Sequence, residues 1–194
     1  MAKRYEQLYP LIRACKPQTI AEVGVHRGMR AMMMAEEACM VRQSVRYIGF
    51  DVFETMPQSF HDAALNGKGI PLRAMAEARM QSVSERFPGF SWEFREGDTR
   101  DTLHGKRIAC DFAFIDGDHR VEAIRGDALG LDCPLMVFDD YYIAGPDGRL
   151  PDLTLYGANV VVDELKAAGA SVELLPAGDL CNHGGIALLA VVRR

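Results

Sequence analysis

Long apolar runs are missing from this chain: nowhere in its 194 residues does an uncharged apolar stretch approach the ~18 residues that span a bilayer. The opening "MAKRYEQLYPLIRACKP" has neither an apolar run nor a small-residue cleavage site, so the chain is expected to be cytoplasmic, neither exported nor membrane-spanning. An excess of positive charge is missing too. With 22 Lys and Arg against 27 Asp and Glu, the net charge of -5 gives no electrostatic reason to expect nucleic acid, and a small or weakly charged partner is more natural. Paired cysteines and zinc spacing are also lacking. Cys15, Cys39, Cys110, Cys133 and Cys181 are odd in number and scattered, which suggests reduced thiols of a cytosolic protein. There is no internal repeat and no low-complexity linker. A chain of this length, 48% hydrophobic and 25% charged, reads as one globular domain over residues 1–194.

What is present is alternation. Strand candidates "TIAEVGV", "RYIGFDVF", "SWEFREGD", "DFAFIDGD" and "LMVFDDYY" each end in an acid or a glycine turn. Helical patterns lie between them: "RAMMMAEEACMVRQ", "LRAMAEARMQSVSERF", "HRVEAIRGDALG" and "GANVVVDELKAAG". This order predicts a doubly wound α/β fold with a mostly parallel sheet covered on both faces. The ending differs, because "ASVELLPAG" and "GGIALLAVV" are joined by the short polar "DLCNH", leaving no room for a crossover helix. They are expected to form an antiparallel hairpin. The one long irregular piece, residues 54–71, has the length of a lid.

In open α/β sheets ligands bind at the carboxyl ends of the strands. After the first strand stand Glu22, Gly24 and Gly28, an E-x-G-x-x-x-G pattern whose glycines permit a tight turn and close approach of a ligand. Two plain turn glycines would read the same way. The middle glycine of the dinucleotide G-x-G-x-x-G is absent, since His26 and Arg27 occupy the turn, so a pyrophosphate is less welcome. Asp51 closes the second strand, where a carboxylate accepts hydrogen bonds from ribose hydroxyls, unless it is a helix cap or loop acid.

These residues resemble the class I S-adenosylmethionine-dependent methyltransferases, in particular small metal-dependent O-methyltransferases of the catechol and macrolide-sugar type. The resemblance covers nearly the whole chain. It implies a seven-stranded sheet ending in the antiparallel hairpin, with the methionine part of the cofactor at Glu22, Gly24 and Gly28, its ribose at Asp51 and its adenine beside Asp98 and Thr99. The chain departs from relatives at Arg30, where a small hydroxyl residue often stands.

The next two strands carry three more acids: "FIDGDH" puts Asp116 at one strand end and "VFDDYY" puts Asp139 and Asp140 at the other. Like charges brought together on neighbouring strands are costly unless a cation neutralises them, and oxygen-only ligands favour a hard ion such as Mg²⁺. Solvated loop acids are the plainer reading; paired acids directly after an apolar strand are poor loop filler. Asp118 is read as the cap of the following helix. The resemblance agrees, because metal-dependent relatives draw ligands from these strand ends, and it adds Asp116 to the residues facing the cofactor. His119, three residues past Asp116, matches the histidine that the macrolide-sugar type uses as general base, here from the first turn of the helix. Imidazole, with a pKa near 6.5, accepts a proton near neutrality. A structural histidine at a helix end is the bland alternative.

The "MMM" of residues 32–34 reads as core packing. Trp92, Tyr141 and Tyr142 fit a pocket wall or the core equally, and His61, Asn182 and His183 lie in loops that reach toward the site. The sequence thus predicts an S-adenosylmethionine- and Mg²⁺-dependent O-methyltransferase for a small hydroxylated acceptor, with a homo-oligomer compatible. The competing readings are an NAD-dependent oxidoreductase and a non-catalytic cofactor-binding regulatory module.

Overall fold

The computed structural model describes residues 3–55, 70–182 and 184–194. Most of the proposed lid, with His61, and also His183 therefore lie outside the described residues. Ten strands are present among them: β1 (Thr19–Val23), β2 (Val45–Asp51), β3 (Phe90–Glu96), β4 (Ile108–Ala109), β5 (Phe112–Ile115), β6 (Leu131–Asp132), β7 (Leu135–Ile143), β8 (Ser171–Leu174), β9 (Asp179–Leu180) and β10 (Ile186–Arg193). The helices are α1 (Lys3–Glu6), α2 (Leu8–Cys15), α3 (Met29–Val41), α4 (Arg73–Arg86), α5 (Thr99–Thr102), α6 (Val121–Gly130) and α7 (Ala158–Ala167).

The main sheet runs β3-β2-β1-β5-β7-β10-β8. Its first five strands are mutually parallel, and β10 lies antiparallel to both β7 and β8. These seven strands form the expected mostly parallel sheet with its closing hairpin, and β9 adds an eighth beside β10; helical crossovers suit parallel neighbours and the helix-free ending an antiparallel one. The connection of the hairpin is more ordered than expected. Asp179 and Leu180, read as loop, pair as β9 with Ala187 and Ile186. β4 and β6 form a separate two-stranded parallel ribbon.

Side-chain alternation feeds two cores. Ile20, Tyr47, Phe112 and Phe114 face one side, where α2, α3 and α4 contribute Ile12, Met34 and Met80. Ala21, Ile48, Ala113 and Phe138 face the other, against Ile124 of α6 and Val162 of α7. Met34 is core as expected, with Met32 packed beside it, and Trp92 also packs against this first core. All five cysteines are free. No helix among the described residues is long and apolar enough to cross a membrane.

Two features of the fold set up the site. The chain turns outward from β1 to β2 and β3, then returns to β5 and β7 on the other flank, so the crevice opens beyond β1 and β5, where strand order reverses. The second feature departs from expectation. β7 does not end at Asp139 and Asp140; it continues to Ile143, and its register against β10 shifts so that Phe138 pairs with Ala190 but Tyr141 with Leu188. The two aspartates therefore occupy a β-bulge, with Asp140 at a left-handed φ of 55°. Such a bulge re-aims side chains that a regular strand would send to opposite faces.

Candidate active site

A cavity of about 480 Å³ opens at the carboxyl ends of β1, β2 and β5. That volume lies within the usual range for a small ligand, ~300–1,000 Å³. Among the residues named from the sequence, Gly24, Asp51, Asp98, Thr99, Asp116 and His119 line it. Asp51 holds its place through its own carboxylate, which accepts the backbone N–H of His26 (2.6 Å) and Phe53 (2.7 Å). Asp98 caps α5, accepting from the Arg100 N–H at 2.9 Å, and its hydrogen bonds to Arg100 hold its carboxyl below the usual range. Gly24 has a φ of 88°, and a Cβ there would fall on the carbonyl oxygen of Asp116. Its glycine is required by the close passage of β1 past β5 as much as by any ligand.

Two expected cofactor residues stand elsewhere. Gly28 is not among the residues lining the cavity: at φ 74° it begins α3, and a Cβ would come within 2.7 Å of Ala76 Cα on α4. Glu22 lies beneath the cavity, wholly buried, accepting a hydrogen bond from the Tyr47 hydroxyl. Burial pushes its carboxyl up to about 8, against the opposing pull of the Arg30 charge and the Tyr47 hydrogen bond.

Asp118 is not the helix cap. It accepts the Arg120 N–H at 2.9 Å and pairs with the Arg120 guanidinium, while the N-cap position of α6 is Arg120 itself, without a side-chain cap. His119 accordingly precedes α6 rather than riding in its first turn. Its carbonyl is anchored by the Gly157 N–H (2.7 Å), its ring lies 5.7 Å from that of Tyr156, and its Nδ1 stands 3.5 Å from Asp140 Oδ2. Tyr142 is buried, its ring 5.2 Å from Tyr156; the Tyr141 hydroxyl reaches Asp163 at 3.4 Å.

The three acids expected to hold Mg²⁺ do come together, but with arginines among them. Arg30 pairs with Asp116 and lies over the rings of Tyr5 and Phe114, 4.5 and 5.8 Å from their centroids. Arg4 places Nη1 3.2 Å from Asp139 Oδ1 and 3.0 Å from Asp140 Oδ1, with Nε 3.2 Å from Asp179 Oδ2. The Tyr5 hydroxyl donates to Asp139 Oδ2 at 2.7 Å and accepts from Arg4 at 2.8 Å. Burial and the neighbouring Asp116 charge push the Asp139 carboxyl upward, opposed by Arg4 and Arg30. A recess bordered by Asp116, His119, Asp139 and Asp140 measures about 10 Å³. That is close to the room of a single water, whereas Mg²⁺ takes six ligands and usually keeps several waters. Among the described residues no group of three or more His, Cys, Asp or Glu side chains is arranged to hold a metal. The expected Mg²⁺ site does not fit this arrangement, because guanidinium groups already neutralise the carboxylates.

A methyltransferase-domain family model matches residues 21–140, more than half of the chain, from β1 through the Asp139–Asp140 bulge. The chain belongs to the methyltransferase-domain family. Solved structures agree on the fold. An O-methyltransferase from Bacillus cereus in complex with SAH aligns with a TM-score of 0.68 at 16% identity, covering 100% of this chain and 82% of that one. A putative O-methyltransferase from Klebsiella pneumoniae gives 0.64 at 17% identity, covering 100% and 81%. TomG from Streptomyces achromogenes, an O-methyltransferase of tomaymycin synthesis in complex with SAM, gives 0.61 at 15%, covering 100% and 80%. No curated protein sequence matches. The class I methyltransferase assignment made from strand-end motifs stands, and the oxidoreductase reading falls with it.

Around the acid cluster, the residues that sequence reasoning passed over are Arg4 and Tyr5. Only the need of clustered acids for positive charge pointed toward them.

Proposed function

We propose that this methyltransferase moves the methyl group of S-adenosylmethionine to a hydroxyl oxygen of a small acceptor. The observation that carries the reading is the cavity itself, in which Asp51 stands at the end of β2, Asp98 and Thr99 beyond β3, and Asp116 and His119 beyond β5. That spacing suits an elongated nucleoside with an amino-acid tail: ribose hydroxyls donate to Asp51, adenine lies beside Asp98 and Thr99, and the tail runs past Gly24 toward Asp116. When bound, the donor supplies an electrophilic methyl group on a sulfonium.

The chain's own contribution is positioning and proton removal. With Nδ1 directed at Asp140, His119 leaves Nε2 to accept the acceptor's hydroxyl proton as the oxygen attacks. Asp140 stabilises the imidazolium that results. Mg²⁺ takes no part in this reading, since Arg4 and Arg30 sit on the carboxylates expected to bind it. Calorimetry with S-adenosylhomocysteine and with NAD tests the proposal. Binding of the first and not the second is expected; NAD binding alone, or neither, would end it.

A further inference from the structure

The acid cluster lies where a cation is needed, and one segment supplies it. α1 is a single turn whose Arg4 is buried and touches three carboxylates from two elements, Asp139 and Asp140 of the β7 bulge and Asp179 of β9. Tyr5 clips the arrangement from the other side by donating to Asp139. We infer that Arg4 is the resident cation of this active site, standing between Asp139 and Asp140 in place of a divalent ion, so that methyl transfer runs without one.

The inference rests on the methyl-transfer reading for its function and on geometry for its substance. A guanidinium has donors in a fixed plane and no lone pair, so it can bridge two carboxylates but cannot itself ligate a metal. A divalent ion entering the bulge would have to expel Arg4 or sit against its charge, and the recess bordered by Asp139 and Asp140 has room for about one water, not the several that Mg²⁺ usually keeps. Arg4 also does what a metal would not. It holds Asp140 through Oδ1 while Oδ2 faces His119, so the guanidinium, the carboxylate and the imidazole form one line ending at the cavity. Arg4 is therefore a positioning residue for the base. The bulge serves the same end, because Asp139 and Asp140 reach one guanidinium only if the strand stops alternating at that point.

Mn²⁺ binding, followed by water-proton relaxation, tests this directly on the whole protein and needs neither acceptor nor donor. Wild type is expected to show no Mn²⁺ site tighter than about 1 mM. Arg4→Gln, which shortens the side chain, keeps a planar donor group and removes the charge, should gain roughly tenfold or more in Mn²⁺ affinity, since the ion no longer meets a resident positive charge. Arg4→Lys should stay like wild type, and Asp139→Asn added to Arg4→Gln should abolish the gain. A single Mn²⁺ site in wild type that Asp139→Asn removes would overturn the inference. So would a folded Arg4→Gln protein, judged by circular dichroism, that gains nothing. If Arg4→Gln does not fold, the wild-type titration decides alone. S-Adenosylhomocysteine binding to wild type in excess EDTA is a separate arm: its failure would defeat the methyl-transfer reading and leave the Mn²⁺ result standing.

Discussion

Replacing Glu22 with Gln turns a buried proton into a measurable change of stability. Glu22 is fully buried on β1, and burial raises its carboxyl from the ordinary 4.5 to about 8, even with the charge of Arg30 and the Tyr47 hydroxyl favouring the ionised form. The Tyr47 hydroxyl is itself driven well above its usual range, first by burial and then by Glu22, so it keeps its proton and donates it to the carboxyl. Between those two values the folded chain holds a proton that the unfolded chain has released. The contribution of Glu22 to stability is thus fully present below the unfolded pKa, is withdrawn as pH rises through the interval, and stays withdrawn above about pH 8. At ~1.4 kcal/mol per pKa unit the withdrawal amounts to roughly 3–5 kcal/mol, a large part of the ~5–15 kcal/mol that holds a domain together.

Gln has the same shape, keeps an acceptor for Tyr47 and cannot ionise. Glu22→Gln should therefore differ little from wild type near pH 4.5, gain on it up to about pH 8 and keep that lead at pH 9. Urea unfolding followed by the fluorescence of the single tryptophan, Trp92 on β3, reads this difference at each pH. Asp127 and Asp139 also have raised carboxyls, through burial first, but both are present in both proteins and drop out of the comparison. A gap between the two proteins that stays constant from pH 5 to pH 9 would show Glu22 ionised in the fold and refute the reasoning.

Asp51→Ala should weaken S-adenosylhomocysteine binding by about 1.5–3 kcal/mol through loss of a charged acceptor. Calorimetry giving equal affinities would remove Asp51 from the ribose site. His119→Ala should lower kcat by ~10²–10⁴ with cofactor affinity unchanged; higher pH should restore part of the loss. An unaltered pH–rate profile would return His119 to a structural role. Gly28→Ala, forced to a φ of 74° with Cβ against Ala76, should lose ~1–3 kcal/mol of stability and keep its cofactor affinity. The opposite pattern, in melting temperature and titration, would put Gly28 back at the ligand.

How much of this was legible in the chain differs residue by residue, for physical reasons. The alternation of β-branched runs and amphipathic helices carries its own period, so the parallel sheet covered on both faces and the closing hairpin follow from local pattern. Asp51 and Asp116 line the cavity because strand ends and ligand crevices coincide in an open α/β sheet. Gly24 and Gly28 look alike in sequence, since a glycine records a need for positive φ or close approach without saying what approaches. In one case the neighbour is the Asp116 backbone beside the cavity, and in the other Ala76 of α4, which is not among the lining residues. The bulge at Asp139 and Asp140 left no mark, because its cause is the register of β10, half a hundred residues on.

The acid cluster shows where such reading reaches its physical limit. Electrostatics is not local: three carboxylates on adjacent strands specify the sign of the charge that must join them, yet not where in the molecule or the solvent that charge comes from. Expecting Mg²⁺ from clustered acids, oxygen ligands and the family resemblance treats the neutralising charge as something drawn from solution. Here it is drawn from the chain, from Arg4, 136 positions before the aspartate it holds. The difference matters for function, because a metal would also polarise an acceptor oxygen directly, whereas a guanidinium already bound by three acids offers the acceptor little. Acidifying the hydroxyl then falls to His119 and the carboxylate behind it. The loss on replacing His119 should accordingly be the same in excess EDTA as in added Mg²⁺, and activity restored to His119→Ala by Mg²⁺ alone would show that the ion, and not Arg4, belongs in the bulge.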